Sequence, residues 1–540
     1  MFQPKRLLAI AAAFTSLLLA DEKPDLAVIN RIKTEAFENS KVMENAFYLT
    51  DVYGPRLTNT PEYTAAAEWV SKRLIGYGLS NVALEKWGPY GRGWSYSKYS
   101  AHMIEPRYAP LTGFPLAWSK GTDGPVTGEA IFAPIRIDAD LVTWKGKLKG
   151  KIVLIDAARE LIPQMTAMGK RYSDAELAAE SLAPDPSPSA AASFNPMASI
   201  PGVQSRVEIE KFRSKVRQFL LEEQALVVLQ IGRGDGGTVF GQNSGTREMK
   251  DAVGLPAAAL AAEHYNRIVR LLDHKIPVKL EFDIKTSLYE DSLDSLNIVG
   301  EIPGEKKKDE VVMIGAHFDS WQGGTGATDN AAGSAVAMEV MRILKSLNVK
   351  MDRTVRIGLW SGEESGLLGS KAYVKKHFAD SEDMKLLPEH AKLDAYYNLD
   401  NGTGKIRGIY LQGNDMVRPI FESWFVPFKD LGAGTVTIRN TGSTDHVSFS
   451  AVGLPGFNFM QDQIEYSTRT HHSNMDVYDR LQKGDLMQAA AVMAAFVYQT
   501  AMRDEMLPRT ALPKPRPAIP AVDPAKKPED GKKVMTATDS

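Results

Sequence analysis

At 540 residues the chain is too long for one ordinary domain and long enough to bury a large core. A net charge of −2, with 44% hydrophobic and 24% charged residues, fits a globular protein and argues against binding nucleic acid or an anionic membrane by bulk charge. The absence of cysteine excludes disulfides, thiolate metal sites and a cysteine nucleophile, so any metal must be held by His, Asp and Glu.

Lys5 and Arg6 precede an apolar run from Leu7 to Leu19, and Ala20 supplies a small residue before a cleavage point. Residues 1–20 therefore read as an export signal, which places the mature protein outside the cytoplasm, secreted or periplasmic. The run is too short to span a bilayer, so no stable membrane insertion follows cleavage. Leu18, where a second small residue is expected, leaves a buried N-terminal helix as the alternative. Residues 21–121 form the first part of the main domain. Pro24 to Leu79 reads as helical, with Ala65, Ala66, Trp69, Val70 and Leu74 at helix spacing after a turn at 54–58.

Between about Thr122 and Asp283 the character changes. Short β-like runs, Lys151 to Asp156 and Ala225 to Ile231, alternate with loops, and an Ala/Ser/Pro-rich stretch from Ala183 to Pro201 reads as a flexible excursion. A β-rich insertion over 122–285 is the economical reading. Over 286–507 the rhythm becomes strand–helix–strand: strands at Glu310 to Ala316, Thr354 to Trp360, Tyr396 to Leu399 and Gly456 to Met460, with a helix from Ala331 to Leu347. The expected fold is α/β, a mostly parallel central sheet flanked by helices, and such sheets gather ligands at the carboxyl ends of their strands. Residues 508–540, rich in Pro and Lys, read as a disordered tail.

The polar residues that carry chemistry fall at those strand ends. His317 and Asp319 follow one strand, Glu363 and Glu364 a second, and Asp400 a third. Asp329 opens a small-residue helix, and His471 and His472 lie beyond the last strand. Each has an ordinary reading as well: a helix cap for Asp329, a turn residue for Asp400, a solvated acidic loop for Glu363 and Glu364. From this set, two imidazoles and three carboxylates, one of them shared, make two sites of three protein ligands each. That donor set suits zinc and leaves room for a bridging water.

At these residues the sequence resembles the co-catalytic di-zinc exopeptidases that include bacterial and vacuolar aminopeptidases, and within them the carboxypeptidase Q branch. The resemblance rests on the strings 315–321, 326–330, 362–370, 398–400 and 471–476, plus the turn 54–58, and spans roughly Asn297 to Met502. It implies two Zn²⁺ per chain, one held by His317, Asp329 and Glu364 and the other by Asp329, Asp400 and His472. It also implies Glu363 as general base, Asp319 orienting His317, and a cis peptide at Asp329-Asn330. Residues 148–156 resemble a strand of the protease-associated domain inserted in many relatives, which shapes substrate access. Tyr466, Arg469 and His471 can recognise a free amine or a free carboxylate of a peptide substrate, and Ser443, Asp445 and His446 resemble a segment beside the cleft. A homodimer is one assembly the resemblance implies.

The expected reaction is hydrolysis at a terminus of short peptides by a metal-activated bridging hydroxide. Two other readings stand beside it. A glutaminyl-cyclase-like acyl transfer would alter the second metal site, whereas Asp329, Asp400 and His472 are all present. A non-catalytic receptor-like module on the same fold would have lost ligands and would carry no zinc.

Overall fold

A computed structural model describes residues 23–186 and 206–515. The export signal, most of the Ala183 to Pro201 stretch and the tail beyond 515 lie outside the described residues. The helical N-terminal expectation holds as three helices, Leu26–Glu38, Val42–Phe47 and Pro61–Gly76. Thr60 caps the last, its hydroxyl accepting the Tyr63 amide at 3.1 Å, and Pro61 occupies the first turn, where no amide donor is needed. Ala66, Val70 and Leu74 are buried as the spacing predicts, while Ala65 faces solvent.

The first sheet has eight strands, numbered here in chain order: β1 (Ser80–Trp87), β2 (Ser295–Ile302), β3 (Lys307–His317), β4 (Arg353–Trp360), β5 (Leu393–Asn398), β6 (Ile406–Tyr410), β7 (Thr435–Thr437) and β8 (Gly456–Gln461). They lie in the order β1-β2-β4-β3-β5-β8-β6-β7. The central strands β4, β3, β5 and β8 run parallel, with antiparallel partners outside them. Those central strands read as near-continuous apolar runs because helices cover them. The helix Ala332–Ser346 is buried throughout from Ala332 to Leu344, and Lys483–Met502 packs beside it. Each fully buried Val, Ile or Leu contributes about 1.5–3 kcal/mol, so this sandwich is the stable frame of the molecule. Gly333 lets the first helix start against β5: a Cβ there would sit 2.2 Å from the Leu399 carbonyl oxygen.

The boundaries of the insertion differ from the expected 122–285. Trp87 pairs with Ser295, so the chain leaves the first sheet after 87 and returns at 295. The strand Gly93–Glu105 belongs to a second eight-stranded sheet, paired antiparallel with Lys279–Tyr289. Its partner lies so far along the chain that local pattern could not reveal it. Within this insert, Met168 to Tyr172 docks on the main domain. Lys170 and Ile464 exchange backbone hydrogen bonds of 2.8 Å, and Arg171 Nη1 lies 2.8 Å from Asp462 Oδ2 and 2.7 Å from Asp485 Oδ2. The first residues of the expected tail are held by the main domain. Residues 508–515 carry no helix or strand, yet Asn414 Nδ2 donates to the Pro508 carbonyl at 2.7 Å and Arg509 donates to the carbonyls of His390 and Leu393.

Candidate metal centre

Register brings the donors to one rim. β3 runs parallel to β5 with Gly315 opposite Asn398, so His317 and Asp400, each two residues further on, stand level with one another. His317 Nε2 lies 3.3 Å from Asp400 Oδ1 and 3.1 Å from Asp329 Oδ1. On the other strand edge His317 is opposite Trp360, which leaves Glu364 four residues further out. There it meets His472, whose Nε2 lies 2.9 Å from Glu364 Oε2 and 3.1 Å from Asp329 Oδ2.

This geometry corrects the expected division of ligands. His317 groups with Asp400, and His472 with Glu364, because register sets Asp400 level with His317 and Glu364 beyond it. Asp329 faces both groups, one oxygen to each. The peptide from Asp329 to Asn330 is cis, as the resemblance implies. Asp476 accepts the Thr328 amide at 2.6 Å and the Asp329 amide at 3.2 Å, and Asn330 Nδ2 donates to the Leu399 carbonyl at 2.9 Å. The shared carboxylate is thus fixed by partners on both sides.

The donor set fits metal ions. Asp329 Oδ2, Glu364 Oε1 and Asp400 Oδ1 are buried with no hydrogen-bond donor other than the imidazoles that would themselves be ligands. Leaving such oxygens unpaired is costly, and a cation removes that cost. The electrostatics agree. Burial pushes Glu364 up to about 7 even with His472 beside it. Burial also raises the Glu363 carboxyl far above the usual range, and Asp400, Asp445 and Glu364 add to the effect. Burial alone would lower His472, but Glu364 and Asp329 raise it to about 10. Carboxylates outnumber imidazoles here, and the cluster is short of positive charge.

Asp319 acts differently from the expectation. The His317 Nδ1 partner is the Asp319 backbone carbonyl at 3.0 Å, not its carboxylate, which stands 3.7 Å away. That carboxylate accepts the Thr58 hydroxyl at 2.8 Å and the Glu363 amide at 3.2 Å. It therefore ties the loop of Glu363 to that of His317. Thr58 in turn accepts the Gly362 amide at 2.8 Å. Arg56, fully buried, donates to the carbonyls of Leu49, Phe318, Thr325 and Gly326. The sequence marked the turn 54–58 but gave no sign that its side chains bind the loops of the centre together.

The expected substrate contacts divide. The Tyr466 hydroxyl donates to Asp329 Oδ1 at 3.1 Å, and its ring lies 4.7 Å from that of His471. The His471 side chain is 41% exposed against 15% for His472, so His471 faces the opening and His472 the interior. Arg469 is turned away, donating to the Met168 sulfur at 2.9 Å and lying 3.4 Å from Glu465. His446 is fully buried and donates from Nε2 to the Thr441 carbonyl at 3.1 Å, which removes it from contact with substrate. Asp445 is fully buried too, its oxygens lacking donors, and burial raises it to about 7.

A sequence model of peptidase family M28 matches residues 297–497, the span that carries every proposed ligand. Over that span the chain resembles peptidase family M28. Mouse carboxypeptidase Q is 27% identical over 489 residues, covering 90% of each chain. Aminopeptidase YwaD of Bacillus subtilis is 32% identical over 223 residues, 40% of this chain and 47% of that protein. Among solved structures, a peptidase M28 precursor from Shewanella amazonensis superposes with a TM-score of 0.64 at 24% identity, covering 90% of this chain and 98% of the other. A zinc aminopeptidase from Bacillus subtilis gives 0.54 at 20% identity, covering 86% and 95%. The M28 match and these relatives indicate a metallo-exopeptidase, a hydrolase with a mixed α/β fold. Among the described residues no helix is long and apolar enough to cross a membrane.

Proposed function

We propose that this chain is an exported exopeptidase that holds two zinc ions, one between His317, Asp329 and Asp400 and one between Asp329, Glu364 and His472. The observation that carries the reading is the position of Asp329, whose two oxygens each face a different imidazole–carboxylate pair. Zinc bound there would supply Lewis acidity and lower the pKa of water from about 15.7 towards 7. The remaining work falls to side chains. Glu363, its amide fixed by Asp319, takes a proton at its carboxylate and returns it to the leaving nitrogen. Tyr466 holds the shared carboxylate in place. The insert serves as the protease-associated-type cover over this rim.

Peptides with a free α-amine are the substrates this rim favours. It is dominated by carboxylates, and its arginines are committed, Arg56 to backbone carbonyls and Arg469 to Met168 and Glu465. The test is a panel of dipeptides and tripeptides, free or acetylated at the amine, assayed with and without a chelator. Free-amine peptides should be cleaved, acetylation and chelation should each abolish cleavage, and added zinc should restore it. Glu363→Gln should keep two zinc ions and lose at least about 100-fold in kcat. Equal cleavage of acetylated peptides would sink the amine assignment, and near-normal turnover by Glu363→Gln would sink the base.

A further inference from the structure

The segment carrying Tyr466, Arg469, His471 and His472 is held by the insert on two sides. Lys170 pairs with Ile464 at its start. At its end Phe240 bridges Ser473, the Gly241 amide donates to the His472 carbonyl at 3.2 Å, and Val239 and Asn474 are joined by hydrogen bonds of 2.8 and 3.1 Å. One contact reaches the imidazole itself: Gln242 Nε2 lies 2.9 Å from His472 Nδ1. Gln242 is itself fixed, because its backbone carbonyl accepts the Ala117 amide at 2.9 Å and Gln322 Nε2 at 2.7 Å. Trp321 packs edge-on against the same imidazole, ring centres 6.2 Å apart.

An imidazole that gives Nε2 to a metal carries its proton on Nδ1, and that proton needs an acceptor. For His317 the acceptor is the Asp319 carbonyl, within its own domain. For His472 the group in reach belongs to the insert. The amide of Gln242 has one oxygen and one nitrogen end, and a half-turn about its last bond presents the oxygen to Nδ1–H.

We propose that Gln242 is a positioning residue for the metal centre: by accepting the Nδ1 proton of His472 it fixes the tautomer and aim of that ligand, so the insert completes the site of Asp329, Glu364 and His472. The proposal rests on the two-zinc reading. It concerns only one of the two sites, and that selectivity is what a general packing role would not produce.

The test uses the full chain, stripped of metal and reloaded with Zn²⁺ alone, with stoichiometry read by elemental analysis and affinities by chelator competition. Gln242→Leu, similar in size but with no acceptor, should weaken one zinc site about 10–100-fold and leave the other unchanged. Gln242→Glu, which keeps an acceptor oxygen, should recover most of that loss, and all metal-free forms should melt together. Unchanged affinities in Gln242→Leu, an equal fall at both sites, or no recovery in Gln242→Glu would overturn the proposal. Wild-type protein that binds fewer than two zinc ions would overturn the two-zinc reading and this proposal with it, and that failure shows before any variant is made.

Discussion

If His317 and Asp400 serve one ion, removing both should cost no more bound metal than removing either. Zinc–ligand distances of about 2.0–2.1 Å in a tetrahedral site place neighbouring donors about 3.3 Å apart. The observed donor separations are 3.1 and 3.3 Å around His317, and 2.9 and 3.1 Å around His472. The donor pairs around each imidazole therefore have the spacing of a tetrahedral edge, with Asp329 serving both groups. A four-ligand structural zinc site is worth about 10–16 kcal/mol, or about 3 kcal/mol per donor, which is roughly 100-fold in affinity. His317→Ala and Asp400→Asn should each empty one site at micromolar zinc, and the double variant should still bind one ion. His317→Ala with His472→Ala should bind none. Stoichiometry by elemental analysis after dialysis distinguishes the groupings. If His317→Ala/Asp400→Asn bound no zinc while His317→Ala/Glu364→Gln bound one, the register argument would be refuted.

Two further predictions concern the frame. Glu339 is fully buried, with both oxygens hydrogen-bonded by Arg342, which also donates to Glu35 at 2.6 Å. Arg342→Leu leaves the buried Glu339 carboxylate without its countercharge and with only the Lys41 amide as donor, and should cost about 3–5 kcal/mol in urea unfolding, whereas a loss under about 1 kcal/mol would contradict the argument. Burial alone would raise the Glu35 carboxyl, but hydrogen bonds from Arg342, Asn39 and Ser346 outweigh it and hold the group below its ordinary 4.5. A folded-state value below the unfolded one means stability that is present above pH 4.5 and lost as pH falls through the folded value. Glu35→Gln should flatten the acid side of the stability curve below that pH, and an unchanged acid slope would show that Glu35 contributes nothing there.

The central strands and the order of the polar residues were legible because both are local. An apolar run such as Val311 to Ala316 followed by His317 declares a buried strand and its functional end together. The grouping of ligands was not legible, because it depends on which strands are neighbours and in what register. Gly93–Glu105 was missed as part of the insert for a related reason: it is a partly polar strand whose meaning lies in Lys279–Tyr289. Arg56 illustrates a third limit. An arginine in a Gly-Pro turn reads as a solvated side chain, and only the fold reveals four backbone carbonyls around its guanidinium. Gln242 carried no motif at all.

The grip of the insert on residues 463–476 has a consequence for how such chains can be recombined. Catalytic halves and inserts from different relatives are not interchangeable parts, since a hybrid would inherit an imidazole cut to fit one scaffold and an amide cut to fit another. A working chimera would have to exchange 168–172, 237–242 and 463–476 as a matched set.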